Sequence, residues 1–270
     1  MLQFFAWLWR VTGVSDALGY AAGTSFPGFA KHLFYTLILG GNTGGAYAVY
    51  IGMFLVLIVV PYLLGSLNGA ILVSRYVFHD DIRNHGSGNA GLTNMGRVFG
   101  KKGALLTFAI DFAKQFLAVV IGILLCGETG AYLAGLFCMV GHIAPVFFRF
   151  KGGKGVLTAG VMILLIDYQV FLIDFALFAI VVLISRYVSL GSVIAGFALP
   201  GVVWILSSLR GNPSANVFPM IFAAVIGLML ILMHRSNLRR LSEGTENKLS
   251  FRKKKEPSEE EGTAETAGKK

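Results

Sequence analysis

Between residues 47 and 233 the chain is a series of long apolar runs separated by short polar segments. No other feature restricts the fold as much. A membrane-crossing helix needs about 20 predominantly apolar residues. Seven runs are candidates: 47–73, 104–126, 131–148, 156–167, 168–185, 193–209 and 217–233. The fourth and fifth are contiguous and together too long for one comfortable span. They read as two short helices, or as one helix and a re-entrant segment. Charged residues are 14% of the chain and hydrophobic residues 55%, whereas soluble domains carry about 25% charged residues. An ordinary soluble domain and a disordered chain are both excluded. The expected class is an all-α integral membrane protein with about seven transmembrane helices.

The basic residues supply a topology. Arg75, Arg83, Arg97, Lys101 and Lys102 lie between the first and second runs. Arg149, Lys151 and Lys154 follow the third, Arg186 follows the fifth, and ten more lie beyond His234. With seven crossings all nineteen fall on one side. Arg10, Lys31 and Arg210 fall on the other, and Lys114 lies inside a run. The positive-inside rule puts the nineteen in the cytoplasm, the N-terminus outside and the C-terminus inside. An even number of crossings loses this agreement. The net charge of +9 is thus distributed as a topology signal rather than as a nucleic-acid-binding face, and no nucleic-acid partner is expected. Two cysteines make no disulfide framework and no metal or redox motif.

Three parts follow. Residues 1–46, rich in Phe, Trp, Gly and Ala, read as an interfacial N-terminal extension, because Trp7 and Trp9 beside Arg10 suit a membrane–water boundary. Residues 47–248 form the membrane domain. Residues 249–270 carry a basic run and then Glu, Pro, Ser, Thr and Gly, a composition that buries no core and reads as a disordered charged tail.

Three polar clusters break the apolar pattern, all on the cytoplasmic side of this topology. The first runs from Asp81 to Arg97 and contains Arg83, Gly86, Ser87, Gly88, Asn89, Thr93 and Asn94. Glycines let a backbone approach an anion, and successive N–H groups make an anion-binding concavity. Arginine adds a bidentate fork for phosphate. A plain turn needs the glycines but not the flanking Arg, Ser, Asn and Thr. The second cluster is Gly141-His142-Ile143-Ala144-Pro145 followed by Phe150-Lys151-Gly152-Gly153-Lys154-Gly155. Its lysines frame a glycine pair where a helix should start, a place that attracts anions. Positive-inside anchoring explains either lysine alone but leaves the glycines unexplained. His142 by itself reads more readily as a hydrogen-bonded structural residue. The third cluster is His234 to Leu241, then Gly244 and Glu246. On a helix His234 and Asn237 share one face, and Arg235 and Arg239 another. A shorter polar segment, Arg186 to Ser192, precedes the sixth run.

Several chemistries are missing. The Walker A spacing fails, and no H-E-x-x-H, G-x-S-x-G or H-x-x-x-x-D occurs. Acids are scarce outside the tail, so no metal site is expected. A transporter of an anionic solute would place polar groups near the bilayer midplane, often in repeated halves. Here they crowd one face and no repeat is evident. Within the apolar runs only Asp111, Lys114, Asp167 and Asp174 are charged, and Asp111 and Lys114 are spaced to pair. A protein that only held lipid headgroups would not need Ser, Asn and His at set places.

Taken in order, these segments resemble the bacterial acyl-phosphate:glycerol-3-phosphate acyltransferases, the PlsY family. The pieces are Gly65-Ser66, Asp81 to Arg97, Asp111 with Lys114, Gly141-His142 with Pro145-Val146-Phe147, Phe150 to Val156, Arg186 to Ser192, and His234 to Glu246. The series spans residues from about 50 to 248. The chain departs from the family pattern at Asn68, Leu92 and Gln115, and in both terminal extensions.

The resemblance implies a seven-span enzyme with no cofactor. It would move a fatty acyl group from acyl phosphate to the sn-1 hydroxyl of glycerol 3-phosphate, giving lysophosphatidic acid and phosphate. This is the first acylation of bacterial phospholipid synthesis. The site would lie on the cytoplasmic side of the cell membrane. The enzyme that forms the acyl phosphate would be its metabolic partner. Ser87, Arg97, Lys154, Ser192, His234 and Asn237 would form the catalytic group. Arg83, Gly86, Gly88, Asn89, Thr93, Asn94, Gly152 and Gly153 would bind substrate phosphate. The hydroxyl proton would pass to the donor's own phosphate, with His234 as the alternative acceptor.

Overall fold

The computed structural model describes Gly40, residues 43–211 and residues 217–249. The expectations for residues 1–39 and for the tail from residue 250 lie outside the described residues. Every regular element among the described residues is helical. Four helical stretches there are long and apolar enough to cross a membrane, or five if a bent pair near the C-terminus counts as one span.

The first apolar run is not one helix. Helix α1 (Thr43–Ser66) stops and α2 (Gly69–Val77) starts after a break at Leu67 and Asn68. The Asn68 side chain accepts from Ile71 N–H at 3.1 Å and so caps α2. A break inside a membrane leaves backbone groups without partners. Two charged residues from a neighbouring helix meet that need. The Lys114 ammonium donates to the carbonyls of Gly65 (3.0 Å) and Leu67 (3.2 Å) at the end of α1. The Asp111 carboxylate accepts from Gly69 N–H at 3.0 Å at the start of α2. Asp111 and Lys114 pair at 2.7 Å, as their spacing predicts. Lys114 Nζ also lies 3.0 Å from His142 Nδ1, so His142 has the structural setting expected of it.

A 3₁₀ turn (Ile82–Asn84) and the short α3 (Leu92–Val98) carry the first polar cluster. The second and third runs then form one element, α4 (Gly100–Ile143), that folds back on itself. The bend is at Cys126 and Gly127, where Gly127 has φ 60° and ψ −142°. Contacts across the bend step away from it symmetrically. Gly122 faces Gly130 backbone to backbone, Gln115 donates to Gly135 O at 3.1 Å, and Asp111 approaches His142. The two limbs are therefore antiparallel, which is the arrangement expected of two successive runs. Residues Val146–Phe148, expected to end the third run, form a 3₁₀ turn beyond it.

The thirty-residue stretch divides, as its length led one to expect, into a short helix and one of span length. Helix α5 (Val156–Ile166) has 11 residues, about 16 Å, short of a hydrocarbon core about 30 Å thick. Asp167 then caps α6 (Tyr168–Ser185), accepting from Gln169 N–H and Val170 N–H. Helix α7 (Val188–Leu209) starts five residues before the expected run. The segment from Val188 to Ser192 is therefore its first turn and not a loop. Tyr187, extended at the N-cap, sets that start. Helix α8 (Val217–Met233) bends by 54° into α9 (Arg235–Ser242).

The main core joins α4, α5, α7 and α8, with Met139, Met162, Leu199 and Ile226 fully buried at its centre. A smaller core of Ile71, Ile82, Ala90 and Met95 supports the first polar cluster. Helix α6 buries only Val170 and Val182, and its Leu172, Ile173, Ile180, Leu183 and Ile184 are exposed. Such a surface suits lipid rather than water.

Candidate active site

The polar clusters meet at one end of the helical bundle, around a cavity of about 460 Å³. Its polar end is lined by Ser87 and Arg97 from the first cluster, Lys154 from the second, and Ser192, His234 and Asn237 from the later helices. Those are the six residues assigned to catalysis from the sequence, and all six line this cavity. Its apolar part runs between α5 and α6, past Gly160, Ile163 and Leu164 on one side and Phe171, Phe175 and Phe178 on the other.

The phosphate-binding group divides. Asn89, Thr93 and Asn94 line the cavity, whereas Arg83, Gly86, Gly88, Gly152 and Gly153 lie outside its lining. Arg83 is already engaged. It forks onto Asp81 at 2.9 and 2.7 Å and donates to the Phe148 carbonyl at 3.1 Å. It thus ties the first polar loop to the second, and holds the Asp81 carboxyl well below the usual carboxylate range. Gly152 and Gly153 are small for a packing reason. A Cβ on Gly152 would strike the His142 carbonyl, and one on Gly153 the His142 ring. Their N–H groups donate to the Ile143 and His142 carbonyls at 3.1 Å each, satisfying the end of α4. The loop between α4 and α5 is therefore rigid, and it holds two successive non-glycine residues, Arg149 and Phe150, at φ 58°. Left-handed backbone of this kind costs about 1–2 kcal/mol per residue, so the surrounding bonds must over-determine it.

Asn94 works on the other loop. Its side-chain oxygen accepts from Ser87 N–H at 3.0 Å, and its amide donates to the His85 and Asn89 carbonyls at 2.9 and 3.1 Å. A Cβ on Gly86 would strike that same side chain. Asn94 thus shapes the loop that presents Ser87.

The Lys154 ammonium donates to Asn237 Oδ1. Burial pushes Lys154 down to about 8; the Glu246 carboxylate opposes that shift, while Arg240 and Arg97 add to it. Glu246 is the residue that the sequence reading quoted but did not place in the site. It lines the cavity, and its side chain is only 6% exposed. It accepts from Asn237 Nδ2 at 2.6 Å, Ser189 Oγ at 2.8 Å and Arg240 Nε at 2.8 Å. Burial alone would raise its carboxyl, but these three hydrogen bonds hold it below its usual range. Its position four residues past the end of α9 gave no periodicity by which to find it. Three cations, Arg97, Lys154 and Arg240, line the cavity with Glu246, and Asp111, which also lines it, is paired with Lys114, so the mouth is net positive and suits an anionic ligand.

Two further groups are oriented by backbone. His234 Nδ1 lies 2.7 Å from the Leu230 carbonyl. A carbonyl only accepts, so Nδ1 carries the proton and Nε2 keeps a lone pair. Ser192 Oγ donates to the Val188 carbonyl at 2.9 Å and retains acceptor capacity.

The geometry is that of a cationic, hydroxyl- and amide-lined mouth opening onto an apolar slot. The sequence profile of the glycerol-3-phosphate acyltransferases matches residues 54–244. The chain belongs to the glycerol-3-phosphate acyltransferase family. A glycerol-3-phosphate acyltransferase of Finegoldia magna is 42% identical over 196 residues, covering 72% of this chain and 96% of the relative. One of Carboxydothermus hydrogenoformans is 39% identical over 201 residues, covering 74% and 99%. Among solved structures, the glycerol 3-phosphate form of the integral membrane acyltransferase PlsY is 36% identical, with a TM-score of 0.64, covering 73% of this chain and 96% of that one. The lysophosphatidic acid form of PlsY gives 35% and 0.61. This glycerol-3-phosphate acyltransferase is thus a multi-pass membrane enzyme, as the sequence led one to expect. The family match lies within the expected membrane domain, residues 47–248.

Proposed function

We propose that the chain transfers a fatty acyl group from acyl phosphate to the sn-1 hydroxyl of glycerol 3-phosphate, releasing lysophosphatidic acid and inorganic phosphate. The observation that carries this reading is the single cavity in which a cationic mouth continues into an apolar slot. A phosphate-bearing diol and the head of an acyl phosphate both fit the mouth, and the fatty chain fits the slot. Two anions held side by side repel, and the cations Arg97 and Lys154 offset that repulsion while fixing their orientation. Ser87, Ser192 and Asn237 supply hydrogen bonds, and Asn89 and Thr93 extend the phosphate-binding rim.

The hydroxyl oxygen of glycerol 3-phosphate attacks the acyl carbonyl carbon. An ester C–O bond forms, the acyl C–O–P bond breaks at carbon, and phosphate departs. The hydroxyl proton goes to that departing phosphate. His234, with its Nε2 lone pair, positions the hydroxyl by a hydrogen bond. Acyl phosphate is already activated, so no covalent enzyme intermediate is required.

The same reading sets seven spans, with α4 counted as two and the 11-residue α5 as a short one, an N-terminus outside and the mouth in the cytoplasm of a bacterial cell. Residues 47–248 act as the membrane domain, flanked by an interfacial extension and a charged tail. The enzyme that makes the acyl phosphate is the metabolic partner.

Phosphate release from palmitoyl phosphate by the purified chain in lipid tests the reaction. Release that requires glycerol 3-phosphate, with an equal amount of lysophosphatidic acid, is expected. Equal rates with acyl-coenzyme A would overturn the donor assignment.

A further inference from the structure

Among the described residues of α5 and α6 that line the slot, one is acidic. Asp174 lies on α6 among Phe171, Phe175 and Phe178 and lines the cavity opposite Ile163 and Leu164 of α5. The phenyl rings around it are stacked, with centroids 5.5 Å apart for Phe171 and Phe175 and 6.1 Å for Phe175 and Phe178. One carboxyl oxygen of Asp174 is sealed from solvent and has no hydrogen-bond partner among the described residues. The nearby acid Asp167 differs, since it caps α6 and forks onto Arg210 at 2.6 and 3.1 Å. Among the described residues Asp174 caps no helix and forms no ion pair.

Eleven positions separate Asp174 from Ser185, where α6 ends on the side of the cavity mouth. At 1.5 Å per residue the carboxyl lies about 16 Å down the helix. A polar group left without partners in an apolar place is costly, and an ionisable residue within a membrane segment ordinarily faces a cavity that it serves. Here the cavity it faces is the slot.

We propose that Asp174 sets the length of acyl chain that the slot accepts. The inference rests on the acyltransfer reading of the same cavity. A donor chain reaches the slot from lipid, so each methylene that enters exchanges one apolar environment for another and gains little. A methylene driven against Asp174 is different. It excludes water and any other partner from a carboxyl that already lacks one, and burying such a group unsatisfied is unfavourable. Chains that end short of Asp174 are therefore treated alike, and chains that reach past it are selected against. The carboxyl acts as a polar stop within the slot.

The test is a homologous series of saturated acyl phosphates, decanoyl to eicosanoyl, offered in mixed micelles to the full-length wild type and to Asp174→Leu, Asp174→Ser and Asp174→Asn. For the wild type, kcat/KM is expected to stay level and then fall on the order of tenfold once the chain passes the carboxyl. Asp174→Leu is expected to abolish that fall without changing the rate on the shortest donors. Asp174→Asn keeps a polar stop and is expected to keep the fall. Asp174→Ser, which shortens the side chain, moves the break to longer donors and serves if Asp174→Leu does not fold. A wild-type profile without a break, or variant profiles that superpose on it, overturns the role of Asp174 while leaving acyltransfer standing. Absence of turnover with every donor, in folded wild type, overturns the acyltransfer reading and this inference with it.

Discussion

The Lys154 ammonium donates to the Oδ1 atom of Asn237, joining a loop and a helix 83 positions apart in the chain. Asn237 uses its other side-chain atom, Nδ2, to bond Glu246 at 2.6 Å. Cation, amide and carboxylate thus form a relay across the mouth of the cavity, and its members respond to one another.

The proposed role of Lys154 in phosphate binding predicts a dependence on pH. Its ammonium, pushed down to about 8 by burial, is present below that pH and lost above it. The KM for glycerol 3-phosphate is expected to rise as pH increases through about 8. Lys154→Arg stays charged throughout and is expected to lose this dependence. A wild-type KM that stays constant from neutral pH to pH about 9 contradicts the assignment.

Glu246→Gln removes the carboxylate that acts on Lys154 and bonds Arg240. Because Glu246 opposes the downward shift of Lys154, its loss moves the basic limb to lower pH. It also loosens Asn237 and Arg240, so kcat is expected to fall roughly tenfold. Steady-state pH profiles of the two proteins check both effects, and an unmoved limb counts against the relay.

Arg97→Ala and Arg83→Ala should separate, although both arginines bracket the same glycine-rich segment. Arg97 lines the cavity, and its removal is expected to lower kcat/KM on the order of a hundredfold in protein that is still inserted and folded. Arg83 is committed to Asp81 and the Phe148 carbonyl, so Arg83→Ala should lower thermal stability and leave KM near its normal value. Equal catalytic losses would return Arg83 to the site.

Lys114→Met tests the broken first helix. It leaves the Asp111 carboxylate buried without its cation and strips the Gly65 and Leu67 carbonyls of a donor. Breaking a buried pair in this way costs about 3–5 kcal/mol. The double change Asp111→Leu with Lys114→Met is expected to cost less than the sum of the single changes, by thermal denaturation in detergent. Additive losses would show that the two residues act separately.

Much of this was legible in the sequence because membrane helices and topology are written in long apolar runs and basic loops. That the stretch from 156 to 185 divides followed from run length, and the pairing of Asp111 with Lys114 from spacing. The break at Leu67 and Asn68 was hidden, because Leu67 is apolar and a buried Asn cap adds only one polar residue to a hydrophobic run. The glycine pair at Gly152 and Gly153 read as a phosphate cradle, since sequence cannot tell a glycine needed by a ligand from one needed by the His142 ring beside it. Arg83 likewise carried the right chemistry, but Asp81, two residues away in the same loop, claimed it first.

Helix α6 supplies one wall of the slot and buries only two of its own side chains, Val170 and Val182. The outer face of that wall is therefore bounded by lipid. A single helix would then stand between the slot and the bilayer that the enzyme's product goes on to build.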